Sequence, residues 1–79
     1  MVLFFALHAF CMSPKIIGRN IKRIRQKNRL STADLADVAG ITAQTVREME
    51  RGKWPSLRTL VAVALALETT VENLAKKAE

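Results

Sequence analysis

The chain has 79 residues, 49% of them hydrophobic and 25% charged, which allows one small globular domain with a single core and no second module. One cysteine and one histidine exclude an internal disulfide and a zinc centre with its usual four nitrogen and sulfur ligands. Thirteen Lys and Arg against seven Asp and Glu give a net charge of +6, and residues 15–29 hold Lys15, Arg19, Lys22, Arg23, Arg25, Lys27 and Arg29 without one acid, a stripe that attracts polyanions.

The first twelve residues, MVLFFALHAFCM, are apolar but shorter than the roughly 20 residues of a membrane span. They lack the basic start and small-residue cleavage site of a signal peptide, so a cytoplasmic location is expected. Residues 1–12 read either as a segment that covers an apolar patch or as lying before a true start at Met12. Ser13-Pro14 is already a full helix opening, a cap followed by proline at the first helical position. From Pro14 on, apolar residues recur at helical spacing and strand signals are nearly absent. The first helix spans about 14–28, with Ile17, Ile21 and Ile24 inward. Ser31 caps the second toward Ala33 or Asp34, with Leu30 stapled onto Leu35, and Gly40 closes it. Thr42 caps a third helix over about 43–51, with Ile41 stapled onto Val46 and Gly52 as the stop. Ser56 caps a fourth to about Leu67, and Thr70 a fifth to about Ala78. The expected fold is one all-α domain, 13–79.

At 100° per residue with Val46 at the core, Met49 and Glu50 also turn inward, while Gln44, Arg47, Glu48 and Arg51 fall on the far side of the third helix. Gln and Arg are the side chains that pair bidentately with adenine and guanine edges in the major groove. A solvated face has the same composition. The short preceding helix, its Gly40 turn and the basic first helix favour nucleic acid.

With those residues in place, LSTADLADVAGITAQTVREMERGKWPSLRTLVAVALALETTVENL resembles the helix-turn-helix domain of the Xre family, which includes lambdoid phage repressors and Cro proteins, restriction–modification controllers and many antitoxins. The resemblance covers about residues 17–74. It implies a five-helix lambda-repressor-like bundle with a central helix-turn-helix, its third helix in the major groove of a double-stranded DNA operator and its second across the backbone. Base contacts are then expected from Ala43, Gln44, Thr45, Arg47 and Glu48, with Gln44 the principal reader; Thr45 reaches either a base or a phosphate, and Arg47 either reads guanine or is held by phosphate. Glu48 either accepts from cytosine or holds Arg51. Phosphate contacts are expected from Thr32, Arg51, Lys53 and Arg58, with Arg19, Lys22, Arg23, Lys27 and Arg29 as further candidates. Trp54 either packs under its loop beside Pro55 or lies against a sugar-phosphate. Arg25 and Glu50 match the family's inward-facing ion pair, and Ala36 a position where a small residue lets two helices approach. Two positions depart from the pattern: Thr32 replaces a longer Gln, and Glu68 replaces the usual Gly, so the connection to the fifth helix is expected to be built differently.

Family members usually bind as dimers. The fourth helix, LRTLVAVALALE, is apolar on nearly all sides. Leu57, Leu60, Val61, Ala64 and Leu65 are assigned to the core, leaving Val63 and Leu67 to form a homodimer interface with Val71, Leu74, Ala75 and Ala78. A two-fold contact would place the recognition helices about 34 Å apart. The expected function is a sequence-specific transcriptional regulator. The alternative is an antitoxin whose main partner is a toxin protein. No enzyme activity, cofactor, metal or membrane is expected, since no nucleophile accompanies a histidine and no Gly-rich phosphate loop occurs. His8 reads as a bystander.

Overall fold

In the computed structural model, which describes residues 13–77, five helices follow one another: α1 (Pro14–Lys27), α2 (Thr32–Ala39), α3 (Ala43–Glu50), α4 (Leu57–Ala66) and α5 (Val71–Ala75). No helix among the described residues is long and apolar enough to cross a membrane. Every helix starts the same way. The hydroxyls of Ser13, Ser31, Thr42, Ser56 and Thr70 each accept from the amide three residues on, which satisfies one of the donors that a helix start leaves free. At Ser31 the cap is reciprocal: Asp34 N donates to Ser31 Oγ, and Ser31 N donates to Asp34 Oδ2, both at 3.0 Å. Donation from the Ser31 amide first, and from the Ser31 hydroxyl second, holds the Asp34 carboxyl below its ordinary pKa.

The helix ends are also alike. After α1, α2, α3 and α4, one residue adopts the left-handed conformation and the next amide reaches back five residues: Leu30 to Arg25, Ile41 to Ala36, Lys53 to Glu48 and Thr69 to Ala64. Gly40 and Gly52 fill that position after α2 and α3, but Arg29 (φ 58°) and Glu68 (φ 56°) fill it after α1 and α4. The α4–α5 connection is thus built as a glycine would build it, contrary to the sequence expectation. The difference is strain, about 1–2 kcal/mol for an L side chain in this region.

The core gathers Ile17, Ile21, Leu35, Ala36, Val46, Met49, Leu60, Val63, Ala64, Leu67 and Leu74. α1 packs between α3 and α5, and α2 between α3 and α4. The face of α4 differs from the sequence assignment. Val63 (0% exposed), Leu67 (3%) and Leu74 (0%) are core residues and form no free surface, while Leu57 (72%), Val61 (40%) and Leu65 (72%) are exposed. Leu60, Val63, Ala64 and Leu67 form one helical stripe and Leu57, Val61 and Leu65 another. Because both stripes are apolar, periodicity alone does not say which one faces inward. Val71 and Ala75 are half-buried against the core. Ala78 and residues 1–12 lie outside the described residues. α5 also stops earlier than expected, at Ala75, because Lys76 turns extended and Asn20 Nδ2 captures the carbonyls of Leu74 and Lys76, both at 2.6 Å.

Candidate nucleic-acid interface

α2 and α3 meet across Gly40, Ile41 and Thr42. Gly40 takes φ 72°, a conformation that glycine adopts without a Cβ clash, and Ile41 folds back onto the core. Thr42 Oγ1 receives the Thr45 amide at 3.1 Å and lies 2.9 Å from Thr45 Oγ1. Residues close in sequence therefore fix the angle at which α3 leaves the turn.

α3 is held from behind by α1. Arg25 Nε lies 2.6 Å from Glu50 Oε2, and Nη2 donates to Glu50 Oε1 at 3.1 Å, a two-pronged pair whose side chains are 11% and 10% exposed. The third prong, Nη1, donates to the Leu30 carbonyl at 2.8 Å. One guanidinium thus joins α1, the lead-in to α2, and α3, a geometry that a rigid planar fork suits and an ammonium does not. The Glu50 hydrogen bonds, ahead of the opposing effect of burial, raise the Arg25 pKa further, so it stays charged at any working pH. Sequence reasoning did not identify the second device, Gly18. A Cβ there would stand 2.3 Å from the Met49 carbonyl oxygen and 3.1 Å from that of Glu50, so α1 and α3 touch backbone to backbone. A glycine inside a helix costs about 1 kcal/mol against alanine, and that cost was the available signal that the position serves close packing.

The face presented outward carries Gln44, Arg47 and Arg51 exposed, with Glu48 beside them half-exposed. Arg47 Nη2 donates to Gln44 Oε1 at 3.4 Å, a contact that orients the amide. Glu48 pairs with Lys53 Nζ at 3.4 Å rather than with Arg51: the backbone reversal at Gly52 (φ 97°) brings Lys53 back toward the end of α3. Ala43 and Thr45 sit at the margin, Ala43 against the core and Thr45 with its hydroxyl engaged by Thr42. Lys53 and Arg58 are exposed at the loop and the start of α4, and Thr32 is half-buried at the start of α2. Trp54 does not pack beneath its loop; it is 64% exposed. Among the cations of α1, Arg19 is exposed on its outer face. Arg23 is turned toward α5, with Nη2 donating to Asn20 Oδ1 at 3.5 Å. The structure thus brings Gln44, Arg47, Glu48, Arg51 and Lys53 together and leaves Arg23 apart.

Among the described residues, no group of His, Cys, Asp and Glu could hold a metal ion. The chemistry of this face is hydrogen bonding and charge, presented on a short helix with a fixed backbone.

The helix-turn-helix family model matches residues 21–74. The immunity repressor protein of Bacillus phage phi105 is 40% identical over 59 residues, covering 73% of this chain and 41% of the repressor, so the chain spans less than half the length of that relative. The N-terminal DNA-binding domain of SinR from Bacillus subtilis has a TM-score of 0.75 at 28% identity, over 82% of this chain and 97% of that one. SinR in complex with DNA gives 0.71 at 31% identity, over 76% and 98%. The restriction-modification controller C.AhdI from Aeromonas hydrophila gives 0.73 at 27% identity, over 77% and 94%.

Proposed function

Because the chain belongs to the helix-turn-helix family, we propose that it is a sequence-specific DNA-binding transcriptional regulator that lays α3 in the major groove of its operator. The observation that carries this reading is the combination of a rigid mount and a polar face. Gly18 and the Arg25–Glu50 pair fix α3 from behind, and Gln44, Arg47, Glu48 and Arg51 project from the other side. The solved complex of SinR with DNA supports the same reading. Gln44, near the N-terminal end of α3, is the principal base reader, its amide able to donate to and accept from one adenine. Arg47 holds that amide in orientation and is itself matched to guanine. Ala43 and Thr45 supply edge contacts. Lys53, Arg58, Arg51 and Thr32 meet phosphates. Lys53 releases Glu48 to do so, at small cost because exposed ion pairs are worth under about 1 kcal/mol. Exposed Trp54 lies against the sugar-phosphate.

The exposed stripe Leu57, Val61 and Leu65 is the surface on which a second copy docks. A two-fold contact pairs a patch with itself, and a continuous apolar stripe is complementary to its own image. This places the homodimer on the opposite stripe of α4 from the one sequence periodicity assigned. Light scattering at micromolar concentration should give a dimeric mass for the wild type and a monomeric mass for Leu57→Asp/Leu65→Asp. A monomeric wild type would leave the stripe to a different protein, such as a toxin.

The operator reading is tested by selecting bound sequences from random duplexes, then measuring affinity for single-base variants of the winner at several salt concentrations. Gln44→Ala should cost roughly 1–3 kcal/mol on the selected site and relax the preference at one base pair. Lys53→Ala should weaken all sequences alike and lower the salt slope by about one unit. If Gln44→Ala leaves every base preference unchanged, α3 is not the reader.

A further inference from the structure

α1 carries more positive charge than the recognition face needs, and the fold divides it. With 100° per residue, Arg23 and Lys27 lie about 170° around α1 from Gly18 and Arg25, the residues that touch α3. They therefore face away from the reading helix, along α5. At that edge the fold adds charge from the other end of the chain. The buried side chain of Asn20, 2% exposed, accepts from Arg23 through Oδ1 and donates through Nδ2 to the carbonyls of Leu74 and Lys76. One amide thus ties the Arg23 guanidinium to the backbone of Lys76, with Lys27 a turn further along α1 and Lys77 next to Lys76, and all four cations are exposed. The two ion pairs among the described residues, Arg25–Glu50 and Lys53–Glu48, involve none of them. Glu72, the acid on α5, falls about 160° around that helix from Leu74, on its far side.

We propose that Arg23, Lys27, Lys76 and Lys77 form a second DNA-binding site, which takes the phosphate backbone of duplex DNA without reading bases. The patch consists of cations on flexible stems with no apolar or aromatic anchor among them. A folded protein partner is held by such anchors in a dry pocket, whereas a phosphate backbone requires only charge. The site is on the opposite side of α1 from α3, so a duplex seated on α3 leaves it free. The phosphates come from a second duplex or from the bent flanks of the first.

The test compares the full-length wild type with Arg23→Gln/Lys27→Gln/Lys76→Gln/Lys77→Gln on operator-free duplexes over a range of salt concentrations, with melting temperature as the control for folding. The slope of log affinity against log salt should fall by about 3.6, near 0.9 for each of the four phosphates that are no longer neutralised. Gln44→Ala should leave that slope unchanged, so failure of this site and failure of the operator reading give different results. Energy transfer between two separately labelled duplexes, present with wild type and absent with the variant, assigns the phosphates to a second duplex. A slope change seen only on long duplexes, with no transfer, assigns them to the flanks. Either outcome upholds the site. An unchanged slope for the fourfold variant on both short and long duplexes would overturn it.

Discussion

The two sides of α1 are anchored by different chemistry. Toward α3 the helix offers an absent side chain, Gly18, and a charged fork, Arg25. Toward α5 it offers one neutral amide, Asn20, which holds two backbone carbonyls. The α3 side joins two full helices and sets the position of the reading face, so it combines backbone contact with a bidentate pair. The α5 side holds a five-residue helix and the chain that follows it, for which two short hydrogen bonds suffice. The lesson is that a small bundle places its costliest polar interaction where an angle must be exact to serve the site, and a cheaper one where a terminus only has to be tied down.

Removing the fork should have the largest effect. Arg25→Ala leaves Glu50 buried without a partner and the Leu30 carbonyl without its donor, and is expected to destabilise by about 3–5 kcal/mol in a denaturant titration. A midpoint equal to wild type with DNA affinity lost would instead make Arg25 a DNA contact. On the other side, Asn20→Ala frees the Leu74 and Lys76 carbonyls and is expected to cost about 1–3 kcal/mol. Hydrogen exchange should accelerate first in α5, while α3 keeps its protection. Gly18→Ala should cost about 1–3 kcal/mol from overpacking against the Met49 carbonyl, less about 1 kcal/mol gained from helix propensity. Its distinguishing sign is that operator affinity falls more than stability, because the added methyl displaces α3. The smallest effect has the opposite sign. Glu68→Gly relieves a left-handed glutamate and should stabilise by about 1 kcal/mol, read as a small rise in melting temperature with the DNA salt slope unchanged. A loss of stability there would mean that the Glu68 side chain contributes more than its backbone strain costs.

The difference between the two sides also separates what each level of description contains. The α3 side was largely legible beforehand: the inward turn of Glu50 follows from helical period, and its pairing with Arg25 from the family resemblance. The α5 side was not. Asn20 falls among isoleucines on α1, and nothing near it in sequence indicates that its partners are carbonyls at the other end of the chain. Thus the second cationic cluster, which depends on that contact, has no trace in the linear order beyond the charges themselves.

The elements that local chemistry closes could be read from residue order. Five Ser or Thr caps, Gly40 and Gly52 each act within five residues of backbone, so the helix starts and the tight α2–α3 turn could be placed before any packing was known. The outward polar face of α3 followed as well, because that helix has only one apolar stripe. Three further points depended on how the helices pack. The packing settled each of them. It chose between the two apolar stripes of α4, burying Val63 and Leu67 and exposing Leu57 and Leu65, since only the positions of α2 and α5 distinguish one stripe from the other. It ended α5 at Ala75, where Asn20 takes carbonyls that a longer helix would have used. It put Lys53 on Glu48 and left Trp54 in the open, because the path of a loop after Gly52 is set by what it meets and not by the residues it contains.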